Sequence, residues 1–206
     1  MQKTITMLMC CNPQFESAAA KHLEENAEKI AFLNPKTKLI PTIESVKEYN
    51  TFFVKKLADS FDTDFVLMLE FDSLVMNPSA WTDEFFNYDY IGAPWNCFSM
   101  LGFHQTDEAP DKVDYLVGNS GFSLGSKRFY EYFRDHSDDY DGQHSCDSYM
   151  CQKKRKEVER AGLKFAPFSL AKKFSVEWQP YVGQFGAHGL YFLDGKPIRL
   201  SDNKPK

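Results

Sequence analysis

Long hydrophobic runs are missing from this chain of 206 residues. No apolar stretch approaches the roughly 18–20 residues of a membrane-spanning helix. Residues 1–11, MQKTITMLMCC, are too short and too weakly charged to read as a signal peptide, and an acidic segment follows. An excess of positive charge is missing as well: 24 Lys and Arg stand against 29 Asp and Glu, a formal net charge of -5. A broad nucleic-acid-binding surface calls for the opposite balance, so only a local basic patch would serve that purpose. Cysteine is sparse. Cys10, Cys11, Cys97, Cys146 and Cys151 are odd in number, with no C-x-x-C pair and no zinc-finger spacing. They read as free thiols of a reducing cytoplasm. Repeats and low-complexity tracts are absent. So is a Gly-rich phosphate loop near the N-terminus, which argues against a nucleotidyltransferase.

Aromatic residues are abundant: 16% of the chain, with 19 Phe, 10 Tyr and 3 Trp. Each buried ring removes a large area from water, so a dense core is expected, and some rings could line a site for a base or a sugar. Strands alternate with helices. Residues 4–10 (TITMLMC) read as a buried strand, 15–33 as a helix, 38–41 as a short strand and 45–60 as a helix. Residues 65–69 (FVLML) are continuously apolar, the pattern of a central strand covered on both faces. Residues 90–95 read as a strand running into a Gly/Pro break. Residues 96–112 read as a mobile loop, a candidate lid, and 113–125 as strand, turn and strand. Helices are expected over 126–134 and 147–161, and a strand over LKFAPFS (163–169). The end reads as a Gly-broken strand or loop, with a polar tail from 196. The alternation predicts a single-domain α/β sandwich around a mixed, mostly parallel sheet.

In such sheets ligands sit at the carboxyl ends of the strands. Glu70-Phe71-Asp72 closes the most buried strand. Two carboxylates on one side of a strand end can hold a divalent cation that bridges a diphosphate, and Mg²⁺ or Mn²⁺ suits such oxygen ligands. His188, within Gly-Ala-His-Gly, would complete the metal sphere if the C-terminal segment folds back onto that strand end. Asp147 opens the late helix, where it either answers the helix dipole or serves as a general base facing the pocket. Asp138, Asp139 and Asp141 are its nearby competitors. The turn Gly118-Asn119-Ser120-Gly121 could bring backbone amides close to a sugar. Trp81, Tyr90 and Trp95 could stack on a ring or pack the core. Lys153, Lys154, Arg155, Lys156 and Arg160 form the one basic cluster, a solvated helix face or an attractor of phosphate.

Several blocks occur in order: E-F-D with N-P (70–78), D-Y-I-G-A-P-W (89–95), V-G-N-S-G-F-S-L (117–124), F-A-P (165–167), F-S-V-E (174–177) and F-G-A-H-G (185–189). Together, over roughly residues 40–192, they resemble a family of small glycosyltransferase-like proteins with a GT-A-type fold, with a bacteriophage member as one option. The resemblance implies a nucleotide-sugar donor, UDP-linked in the first instance, and a D-x-D-type metal motif on Glu70 and Asp72. The metal would be Mn²⁺ or Mg²⁺, closed by His188. It leaves Asp147 as the base of an inverting transfer, since Cys146 stands where the family carries an acid. The donor would be held by Asn12, Tyr49, Glu70, Phe71, Trp95, Asn119 and Gly121. The acceptor would be a glycan, or a hydroxymethylated base in DNA, and the setting cytoplasmic. The other class of function to weigh is a non-catalytic sugar- or nucleotide-binding module.

Overall fold

The computed structural model describes residues 3–95 and 117–200. Strand β1 (Ile5–Cys10) is buried along its whole length. Asn12 stops it, its side chain accepting from the Gln14 N–H to cap a short turn that opens on Pro13. Helix α1 (Glu16–Lys29) leads back to β2 (Lys36–Ile40), an exposed edge strand. Lysines on such an edge discourage pairing with another chain. Helix α2 (Val46–Lys55) starts where the Ser45 hydroxyl accepts the Glu48 N–H. Next come β3 (Phe65–Leu69), buried throughout, β4 (Ser73–Val75) and β5 (Tyr90–Gly92). The lid assigned to 96–112, and most of the strand before Val117, lie outside the described residues. Strand β6 (Phe122–Ser126) feeds helix α3 (Lys127–His136), capped by Ser126.

The chain then departs from expectation. The single helix predicted over 147–161 is three pieces: α4 (Cys146–Ser148), a π-helical turn over Tyr149–Lys153, and α5 (Arg155–Arg160). The apolar run 163–169 contributes only a bridge from Phe165 to Tyr90, and its end opens helix α6 (Phe168–Phe174). A short apolar run does not distinguish strand from buried helix, and here Pro167 starts the helix. Strands β7 (Ser175–Val176) and β8 (Gly186–His188) follow, then a hairpin of β9 (Leu190–Leu193) and β10 (Lys196–Arg199). The hairpin occupies the start of the expected polar tail, and Leu200 beyond it is buried.

The main sheet has the order β2-β1-β3-β6-β5. Strands β1, β2 and β3 are parallel, and β6 runs against both of its neighbours, β3 and β5. Four strands therefore point one way, a mixed and mostly parallel sheet. Alternation along the strands divides the core in two. Leu8, Cys10, Val66 and Met68 face a cluster with Phe53, Phe129, Tyr130, Phe133 and Tyr149. Ile5, Met7, Leu67 and Leu69 face the other, with Phe85, Phe122, Phe174 and Phe185. Burying each such ring contributes about 1.5–3 kcal/mol, so the aromatic excess is spent mainly on these two layers. No helix among the described residues is long and apolar enough to cross a membrane.

A second sheet, order β4-β8-β7, leans on the end of the first. Its strand β4 follows β3 after only Glu70, Phe71 and Asp72. The turn between the two sheets is thus the acidic motif itself.

Candidate metal centre

The small sheet brings the late histidine to the early carboxylates. Antiparallel pairing sets Ser73 opposite His188, and the Gly189 N–H donates to the Asp72 carbonyl at 2.7 Å. His188 Nε2 lies 3.6 Å from Asp72 Oδ1 and 3.8 Å from Glu70 Oε2. One donor atom from each of these three residues falls within 4.8 Å of the others. The Nε2–carboxylate distances are long for hydrogen bonds and suit a cation held between the groups. Two carboxylates and an imidazole form a donor set that divalent metals accept.

The ring of His188 lies against the turn at 118–121. A Cβ on Gly121 would stand 2.1 Å from Nε2, so only glycine leaves space for the imidazole. Asn119, in the left-handed region at φ 66, spans its own turn by accepting the Gly121 N–H at 3.0 Å. Its amide donates to Glu177 Oε2 at 2.6 Å. Glu177 Oε1 is 3.0 Å from His188 Nδ1. A carboxylate only accepts, so Nδ1 carries the hydrogen between them, and the Asn119 amide nitrogen, 3.1 Å from the same Nδ1, is a second donor beside it and not its partner. Burial pulls the His188 pKa down, but Glu177 and Glu70 outweigh it and hold the imidazole well above the ordinary histidine range. Those carboxylates therefore favour the protonated ring when no metal is bound.

Asp147 stands at the first turn after Ser145, accepting from the Ser145 hydroxyl and from the Ser148 N–H. Burial raises its pKa first, and the charges of Glu177 and Glu70 raise it further, while the two serine bonds work the other way. It thus shares an electrostatic neighbourhood with the triad. Cys146 points elsewhere. It is 1% exposed, its Sγ lies 3.6 Å from the Ser120 hydroxyl, and burial pushes its thiol well above the usual range.

The other residues expected at the donor site divide. Tyr49 donates to Glu70 Oε1 at 2.7 Å, leaving Oε2 toward His188. Trp95 lies over Gly118, where a Cβ would stand 1.9 Å from the indole. Asn12 sits at the end of β1, at the same edge of the sheet, with its side-chain oxygen engaged in its cap. The side chain of Phe71 faces α1, packing on Phe15 and His22 at ring distances of 6.2 and 6.1 Å. Its ring is therefore separate from the carboxylates that flank it in sequence. Tyr90 is fully buried and donates to the Asn119 carbonyl, and Trp81 packs on Phe85, Phe86 and Phe185.

The basic cluster divides on folding: Lys153, Lys156 and Arg160 are exposed. Arg155 is 2% exposed, donates to Glu159 and to the Val117 carbonyl, and lies on the Phe165 ring. Lys154 is paired with Asp139 and Glu157. Glu177 is the residue of the candidate site to which the sequence reading gave no role. Its signal is a parallel register, Ser175 beside Gly186 and Val176 beside Ala187, which sets residue 177 next to His188.

The chain belongs to a family of proteins of unknown function, DUF5672, whose pattern matches residues 34–188. No curated protein matches it in sequence. Among solved structures, it is similar to a glycosyltransferase involved in the glycosylation of the major capsid of PBCV-1. The two share 15% identity with a TM-score of 0.51, over 97% of this chain and 96% of that one. At that identity the likeness concerns the fold. A second structure, A197 from STIV, aligns over 73% of this chain and 78% of its own at 13% identity, with a TM-score of 0.39, too low to argue from.

Proposed function

We propose that this chain is a metal-dependent glycosyltransferase that moves a sugar from a nucleotide-sugar donor to an acceptor hydroxyl. The observation that carries the reading is the convergence of Glu70, Asp72 and His188 at the strand-finish edge of a glycosyltransferase-like sheet. Those three side chains would hold Mn²⁺ or Mg²⁺. When bound, such a cation supplies Lewis-acid neutralisation of the charge on a departing diphosphate. The remaining work falls to the chain. Asp147 receives the acceptor hydroxyl proton as the new C–O bond forms and the bond to the nucleoside diphosphate breaks, with the leaving oxygen keeping the electron pair. Its raised pKa makes it a stronger base than an ordinary carboxylate. A base opposite the departing group gives inversion. Asn12, Tyr49, Phe71 (through its backbone), Trp95, Asn119 and Gly121 line the donor side, with a UDP-sugar as first choice.

A glycan is the favoured acceptor over a hydroxymethylated base in DNA. The net charge is -5, and Arg155, at the centre of the basic cluster, is buried. One observation favours the second reading, a non-catalytic sugar- or nucleotide-binding module. Cys146, neutral and turned into the core, stands where similar enzymes carry an acid. Thermal stability against nucleoside diphosphates and nucleotide sugars, with Mn²⁺ and with chelator, separates the possibilities. Ligand at about 100 times Kd adds about 2.7 kcal/mol, which raises the midpoint of a chain this size by about 5–10 °C. A Mn²⁺-dependent rise with one nucleotide, lost in His188→Ala, supports a donor site. A flat response from folded protein rejects it. With a donor in hand, turnover that ceases in Asp147→Asn supports transfer, and binding with no turnover leaves the module.

A further inference from the structure

The triad alone does not explain why His188 faces the carboxylates with Nε2 rather than Nδ1. We infer that Glu177, anchored by Asn119, is the positioning residue that aims His188 Nε2 into the slot between Glu70 and Asp72 and so sets the strength of metal binding there. The inference rests on the cation reading of the site.

Three features carry it. The β7–β8 ladder ends with Val176 beside Ala187, and Glu177 and His188 are the next residues along the two chains. Immediately afterwards the chain turns away. Trp178 takes the left-handed conformation at φ 54, and its N–H donates to the Leu190 carbonyl at 2.5 Å. Such a backbone is costly for a bulky residue and persists where the surroundings over-determine it. Finally, both Glu177 oxygens are engaged, Oε1 with His188 Nδ1 and Oε2 with the Asn119 amide. The Asn119 oxygen accepts the Gly121 N–H, which fixes which end of that amide points at Glu177. Gly189, at φ 65, leaves the carboxylate free space: a Cβ there would stand 3.2 Å from Oε1.

The order of donors and acceptors is therefore one-way. Gly121 N–H gives to Asn119, Asn119 gives to Glu177, and His188 Nδ1–H gives to Glu177. With a cation bound, Nε2 gives up its proton and turns its lone pair to the slot. An outer carboxylate of this kind orients a ligating imidazole and raises its basicity. An amide at 177 cannot satisfy both neighbours, because one end would meet the Asn119 amide or Nδ1–H with another donor. If it turns its NH₂ to Nδ1, the imidazole moves its hydrogen to Nε2 and closes the slot.

The test is Mn²⁺ titration, by calorimetry and by the electron-spin signal of free Mn²⁺, of the full chain and of Glu177→Gln. A 15N imidazole spectrum of the Mg²⁺-loaded proteins accompanies it. Glu177→Gln is expected to bind Mn²⁺ about 10–100-fold more weakly, with His188 losing the Nδ1–H form. Glu177→Asp, which withdraws the carboxylate by one methylene while keeping its charge, is expected to weaken binding in the same direction, and it carries the test if the Gln variant does not fold. A folded variant that binds Mn²⁺ within twofold of the parent chain, with the same imidazole form, overturns the inference while leaving the metal site standing. Failure of the unmutated chain to bind Mn²⁺ overturns the cation reading, and this inference with it.

Discussion

The two ends of the main sheet treat buried acid in opposite ways. At the strand-start end Asp89 is 4% exposed and fully matched. It accepts from Ser126 Oγ, from Arg128 through two nitrogens and from the Lys164 N–H, at 2.5–2.8 Å. That end also has a hollow of about 360 Å³, lined by Lys3, Asp64, Asp89, Lys127 and Arg128 among others. At the strand-finish end Glu70, Asp72 and Glu177 surround a single imidazole, and Asp147 senses two of them. Carboxylates buried with enough donors hold a fold together. Carboxylates that outnumber the cation beside them are costly unless something positive joins them. The difference in charge balance, more than the presence of a hollow, marks the candidate functional end.

The comparison can be broken at either end. The largest stability effect is expected from Asp89→Ala, which strands buried donors at Ser126 and Lys164. It should cost about 3 kcal/mol and lower the thermal midpoint by about 6–12 °C, with Mn²⁺ affinity unchanged. Asp72→Ala should do the reverse. Mn²⁺ binding should weaken beyond the ~100-fold that marks the upper range of outer-shell changes, while the metal-free midpoint holds or rises. If the two variants behaved alike in a paired calorimetric and melting experiment, the contrast between the ends would fail. Gly121→Ala comes next. Its Cβ would intrude on the His188 ring, with an overpacking cost of about 1–3 kcal/mol and a weaker metal titration. An unaltered titration would mean that the ring has another place to lie.

The smallest effect is the most diagnostic in sign. The Asp147 pKa is raised in the fold, so its ionised form costs stability above that pKa, and protonation relieves the cost as pH falls through it. Asp147→Asn should therefore raise the metal-free midpoint at pH 7, lose the advantage under acid conditions, and abolish sugar transfer. A lowered midpoint at pH 7 would show that the charge is structural.

Much of this was legible in the sequence, for local reasons. The central strand 65–69 and the acids that end it are short-range signals, and the structure has both, while the late helix starts one residue before Asp147, at Cys146, and is soon interrupted. The approach of His188 to Glu70 and Asp72 was a conditional expectation, because it depends on β8 pairing with β4 across more than a hundred residues. Glu177 stood in the F-S-V-E block without a role, because its place follows from the parallel register of two very short strands just before it. The charge of Arg155 misled for a related reason. Its spacing among lysines suggests a solvated face, but a break in the helix turns it onto Phe165. The second strand of the terminal hairpin, β10, looked like the start of a tail because it is mostly exposed and carries its pattern only weakly.

The central claim concerns where a cation sits, and diffraction from crystals soaked in Mn²⁺ addresses it most directly. The account predicts an anomalous peak bounded by Glu70, Asp72 and His188 Nε2, with ligand distances of about 2 Å, and with Glu177 on the far side of the imidazole. Peaks confined to other carboxylates, with His188 still lying against Gly121 and no density between the three side chains, would contradict it.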